Sequence, residues 1–77
     1  MSEQEWLDMF SRNLVSLMFE CGMSQTELAY ESGLSKAAIS KYVNRERMPK
    51  PTAILNIAYA LRCDVSELID FGEMVEW

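Results

Sequence analysis

Apolar side chains return every three or four residues along nearly the whole chain, and no segment alternates with a period of two, so the pattern predicts helices throughout. The first is predicted from about Glu3 to Cys21, with Trp6, Phe10, Leu14, Leu17, Met18 and Cys21 on one stripe. Ser2 stands three residues before Glu5, the spacing at which a hydroxyl and a carboxylate satisfy each other's backbone amides at a helix start. Gly22 follows, a residue suited to the left-handed conformation that closes a helix. Ser24 and Glu27 repeat the start signal for a second helix, which turns Leu28 and Ala29 inward and ends at Gly33 after barely two turns. Ser35 opens a third, with Ile39 and Tyr42 on the core side and an end near Val43 or Asn44.

The segment NRERMPK has the composition of a loop, and Pro51 suits the first turn of a fourth helix. The buried face of that helix is read as Ile54, Leu55, Ile57, Ala58 and Leu61. Asp64 with Glu67 starts a fifth, on which Val65, Leu68 and Ile69 pack. The expected fold class is therefore all-α: a compact five-helix domain over residues 1–70, with its central helix pair at about 24–44. A short tail of acidic and large apolar residues occupies 71–77.

A chain of 77 residues holds one domain and one modest core, with no room for a second domain and a cleft between them. No apolar run approaches the ~18 residues of a membrane span. The opening MSEQEW is acidic where a signal peptide is basic, so a cytoplasmic chain without membrane contact is expected. There is no histidine, and Cys21 and Cys63 do not form a C-x-x-C, so zinc sites and histidine-based catalysis fall away. Both cysteines read as reduced, small core hydrophobes. Acids such as Glu27 and Glu31 read as helix caps and solvated faces. No catalytic residue, metal, cofactor or small-molecule ligand is expected.

Two short helices joined by a glycine-containing turn have the geometry of a helix-turn-helix unit. The stretch MSQTELAYESGLSKAAISKY, then MPKPTAILNIAYAL, then DVSEL, in this order, resembles the lambda-repressor-like (Cro/repressor-type) helix-turn-helix family from about Phe10 to Ile69. The resemblance implies a lambda-repressor-like DNA-binding domain that sets its third helix, about 36–43, in the major groove of double-stranded DNA, acting as a homodimer in transcription regulation. Carried over by position, Gln25 matches a phosphate contact at the start of the second helix. Lys36, Ala37 and Lys41 match outward positions that read base edges, and Ser35, Ser40 and Asn44 match positions that reach phosphates. The chemistry suits these roles, since lysine donates to guanine O6 and N7 and an alanine methyl packs on a thymine methyl. Met18 and Val43 stand where the family often pairs arginine with glutamate, which implies a hydrophobic contact instead. Arg45 and Arg62 stand where glycine is usual. A left-handed residue other than glycine costs about 1 kcal/mol, which predicts helix ends of a different shape at these two places.

A net charge of −5 is an obstacle to binding a polyanion, but its distribution is uneven. Residues 1–23 carry −3, residues 24–50 carry +2 and residues 51–77 carry −4. Five of the seven cations, Lys36, Lys41, Arg45, Arg47 and Lys50, fall between positions 36 and 50, so Arg45, Arg47 and Lys50 join the candidate DNA contacts. With a screening length near 8 Å at physiological salt, about that of one side chain, such a patch acts locally. A second surface is suggested by Val15 and Phe19, which lie off the core stripe, and by Phe71, Met74, Val75 and Trp77 in the tail. These four are candidate dimer contacts, or they fold back on the first helix. The alternative functional reading is a protein-interaction module, adaptor or antitoxin-like, built on the same fold.

Overall fold

The computed structural model describes residues 2–69, which form five helices: α1 (Glu3–Cys21), α2 (Gln25–Ser32), α3 (Lys36–Val43), α4 (Pro51–Leu61) and α5 (Val65–Leu68). Among the described residues there is no strand, and no helix is long and apolar enough to cross a membrane.

The starts follow the polar side chains that mark them. Ser2 Oγ accepts the Glu5 amide at 3.2 Å, and Glu5 Oε1 accepts the Ser2 amide at 3.4 Å. Ser24 and Glu27 repeat the exchange at 3.1 and 3.2 Å. Ser35 Oγ accepts the Ala38 amide at 3.0 Å, and Glu67 accepts the Asp64 amide at 2.8 Å. Each removes an amide that the helix itself leaves without a partner.

Three of the ends share one loop. An amide two or three residues past the helix returns to a carbonyl of the last turn: Met23 to Met18 at 2.9 Å, Glu46 to Lys41 at 2.8 Å and Cys63 to Ala58 at 3.0 Å. The residue before each amide is left-handed, with φ of 64° at Gly22, 61° at Arg45 and 55° at Arg62. The two arginines thus keep the glycine-type shape, contrary to the change of shape read from the sequence. The physical reason is one of size. The strain is about 1 kcal/mol at each arginine, whereas burying one large apolar side chain in the adjoining turns stabilises by about 1.5–3 kcal/mol. Packing decides the backbone.

That packing joins Phe10, Leu14 and Met18 of α1, Leu28 and Ala29 of α2, and Ile39 and Tyr42 of α3 to one face of α4. Leu68 and Ile69 close the core from the C-terminal side. The Phe10 and Tyr42 rings meet edge to face, with centroids 6.0 Å apart and planes at 86°. Met18 is buried in this cluster, and Val43 is packed against it. Asn13 Nδ2 donates to the Leu68 carbonyl at 2.8 Å and so ties the short α5 to α1.

Two core assignments need correction. Leu55 is 57% exposed. At 100° per residue it falls opposite the arc of Ala53, Ile54, Ile57, Ala58 and Leu61 that faces inward. Cys21 is exposed as well, since the last turn of α1 extends past the core; its thiol lies 3.8 Å from the Leu61 carbonyl. Cys63 is half-buried against the cluster, and both thiols are free. Phe71, Met74, Val75 and Trp77 lie outside the described residues.

Candidate nucleic-acid interface

The helix pair is built so that α3 is held from one side and open on the other. Leu28 and Ala29 seat α2 on the core, and Ala29 is small where the neighbouring helix approaches. Gly33 then turns the chain with φ 74°, a value that disfavours any residue carrying a Cβ. Ser32 stiffens this turn: its hydroxyl donates to the Ala29 carbonyl at 3.4 Å and accepts the Leu34 amide at 3.3 Å. Ile39, with no exposed area, and Tyr42 fasten α3 from beneath.

Because those two anchors point inward, the helical period sends Ala37, Ser40 and Lys41 to the opposite arc, with Lys36 at its flank on the first turn. Lys36 and Ala37 are exposed, and Ser40 and Lys41 are half-buried. Asn44 follows on this arc and donates from Nδ2 to Ser40 Oγ at 3.3 Å. Ser35 is exposed at the N-terminus of α3, where its hydroxyl is engaged by the Ala38 amide, and Gln25 is half-buried at the first position of α2. Arg45, Arg47 and Lys50 are exposed in the loop that follows. Arg47 and Lys50 rim a hollow floored by Leu34, Tyr42 and Met48. The ten candidate contacts thus lie on the α2 start, the outward arc of α3 and the adjoining loop.

Three contacts at this site were not read from the sequence. Ser11 is buried, and its hydroxyl donates to the Tyr42 carbonyl, which binds the last turn of α3 to the middle of α1. Its signal was available, since Ser11 shares a helical stripe with Leu7, Leu14 and Met18, where a lone hydroxyl asks for a buried partner. The second is an ion pair between Arg45 Nη1 and Asp8 Oδ1 at 3.5 Å, the one such pair among the described residues. The third, Gln4 Nε2 donating to Asp8 Oδ1 at 2.9 Å, steadies that carboxylate.

The surface around the end of α4 has other chemistry. Glu31, Tyr59, Arg62, Cys63, Asp64 and Glu67 surround a second hollow. Burial first, then the charges of Glu67, Cys21 and Asp64, push the Cys63 thiol above its ordinary value. That side is acidic.

With this geometry in place, the chain is shown to belong to the Helix-turn-helix family, whose model matches residues 17–68. No curated protein matches the sequence. Among solved structures, the fold is similar to that of the restriction-modification controller protein C.AhdI from Aeromonas hydrophila, at 32% sequence identity and a TM-score of 0.79, over 82% of this chain and 96% of that one.

Proposed function

We propose that this protein is a regulator of transcription that binds double-stranded DNA in a sequence-specific manner, with α3 in the major groove and two copies on a twofold site. The carrying observation is the outward side of α3, where Ala37, Ser40 and Lys41 stand opposite the buried anchors Ile39 and Tyr42 and the exposed Lys36 flanks them. Membership of the Helix-turn-helix family and likeness to a controller protein support the same reading. On this reading Lys36 and Lys41 donate to guanine edges, the Ala37 methyl packs on a thymine methyl, and Gln25, Ser35, Ser40, Asn44, Arg47 and Lys50 position the backbone.

About four neutralised phosphates per protomer give a slope of roughly −3 to −4 in log affinity against log salt. A single protomer of an acidic protein then binds weakly, and a pair of protomers recovers the affinity. The exposed Val15, Phe19, Leu55 and Tyr59 offer apolar area for such pairing. Selection of bound duplexes from a random pool tests the reading: half-sites spaced near one helical turn support it. Retained affinity in the Lys36→Ala, Lys41→Ala double variant would show that α3 is not the reader. A protein-binding module without DNA is favoured by one observation, the large exposed aromatics Phe19, Tyr30 and Tyr59. A low-salt gel shift with mixed genomic fragments separates it from the first reading.

A further inference from the structure

Arg45 combines two features that a surface cation rarely has together. Its backbone sits at φ 61°, where glycine is the unstrained choice. Its side chain meets a carboxylate on a different helix, Asp8 of α1, at 3.5 Å. Packing imposes that backbone here as at Arg62, and what sets Arg45 apart is the carboxylate its side chain meets.

The backbone of this residue has little freedom. The Glu46 amide bonds the Lys41 carbonyl at 2.8 Å, the Arg45 amide bonds the Tyr42 carbonyl at 3.3 Å, and the Tyr42 carbonyl is also held by Ser11 of α1. Only the side-chain torsions remain free, so the guanidinium has a short list of destinations. One is Asp8, whose carboxylate is kept in place by Gln4. The other is solvent beside the outward arc of α3, where the reading above puts a phosphate backbone. The two side chains are 49% and 40% exposed, and an ion pair this open to water is weak enough to be exchanged for another anion. A phosphate, like a carboxylate, offers the arginine fork two acceptor oxygens.

We propose that Asp8 is an intramolecular competitor for Arg45: the free protein parks the arginine on α1, and a DNA phosphate takes it away. This rests on the DNA-binding reading and deepens it, since it names an acid outside the helix pair that sets how strongly the protein holds DNA. Phosphate is common to every duplex, so the competition lowers affinity for all sequences alike and leaves the choice of bases to α3.

The test needs no operator. Binding to a duplex of about 30 base pairs of mixed sequence, followed by fluorescence anisotropy at low salt, reports phosphate contacts alone. Four chains are compared: wild type, Asp8→Asn, Arg45→Ala and the double variant. Asparagine keeps an oxygen for Gln4 to bond and removes the charge that holds Arg45. The expected result is about threefold tighter binding for Asp8→Asn, within the range set by an exposed pair. Arg45→Ala binds more weakly and loses about one unit of salt slope. In the Arg45→Ala background the Asp8→Asn gain disappears. A gain that persists without Arg45 would mean that Asp8 acts by general charge, and it overturns the proposal. So does weaker or unchanged binding by Asp8→Asn, which would make the acid a support for Arg45 or a bystander. Wild-type protein that ignores the duplex at every salt concentration overturns the DNA reading itself, a separate and recognisable result.

Discussion

The chain leaves α3 and α4 by the same loop, with Arg45 and Arg62 in left-handed backbone and the next amide folded back to the last turn. Their surroundings differ. Arg45 lies among the cations of residues 36–50 and meets one acid, Asp8. Arg62 lies beside Glu31, Asp64 and Glu67 and, among the described residues, forms no ion pair. The loop is therefore a solution to packing, imposed from beneath by Tyr42 and Leu61, while the charge around it is set separately. Membership of a fold family follows from the first of these. Affinity for a polyanion follows from the second.

The largest expected effects come from removing what the two ends rest on. Tyr42→Ala and Leu61→Ala each take out a nearly fully buried side chain, and each should lower unfolding free energy in urea by about 2–5 kcal/mol. A cost under about 1 kcal/mol at either place would mean that packing does not impose the loop there. Next comes the difference in charge. On the proposed reading, Lys36→Ala with Lys41→Ala should weaken operator binding at least about tenfold, since a base-edge contact is worth about 1–3 kcal/mol. Arg62→Ala, on the acidic side, should leave it within about twofold. An equal loss in both would erase the distinction between the ends.

Smaller effects sharpen the comparison. Arg62→Gly relieves strain and gives up no ion pair among the described residues, so its melting transition should rise by an amount equivalent to about 0.5–1 kcal/mol. Arg45→Gly relieves the same strain but loses the Asp8 pair, and its gain should be smaller by a few tenths, about the worth of one exposed ion pair. The smallest effect reports the acidic side directly. Because the Cys63 thiol is favoured in its protonated form in the fold, its contribution to stability is intact below pH 9.0 and falls as the pH rises beyond that value. Alkylation of Cys63 near pH 8 should accordingly be slower than that of a thiol in an unstructured peptide.

Much of the fold was legible because its signals are local. Ser2 with Glu5, Ser24 with Glu27, and Asp64 with Glu67 place helix starts from a spacing of three, and the bounds of α1 to α4 follow from them and from Gly22, Gly33 and Pro51. The outward arc of α3 was legible for the same reason, as the complement of Ile39 and Tyr42. Leu55 was misjudged because apolar character was counted without its angle around α4. Other features depend on residues distant in the chain. Ser11 finds its acceptor 31 residues on, and Asn13 finds its acceptor 55 residues on, so neither partner is visible in a local window. The left-handed arginines were misread because a local cost of about 1 kcal/mol was weighed without the tertiary packing that outweighs it.

The bond from Ser11 to the carbonyl of Tyr42 has a mechanical consequence. It ties the last turn of α3 to the middle of α1, so that a tilt of α3 is resisted by the longest helix of the described residues. If two copies bind a twofold site as proposed, a lengthened or shortened spacer would have to be met by a shift between the copies, because this bond opposes a change of angle within each one.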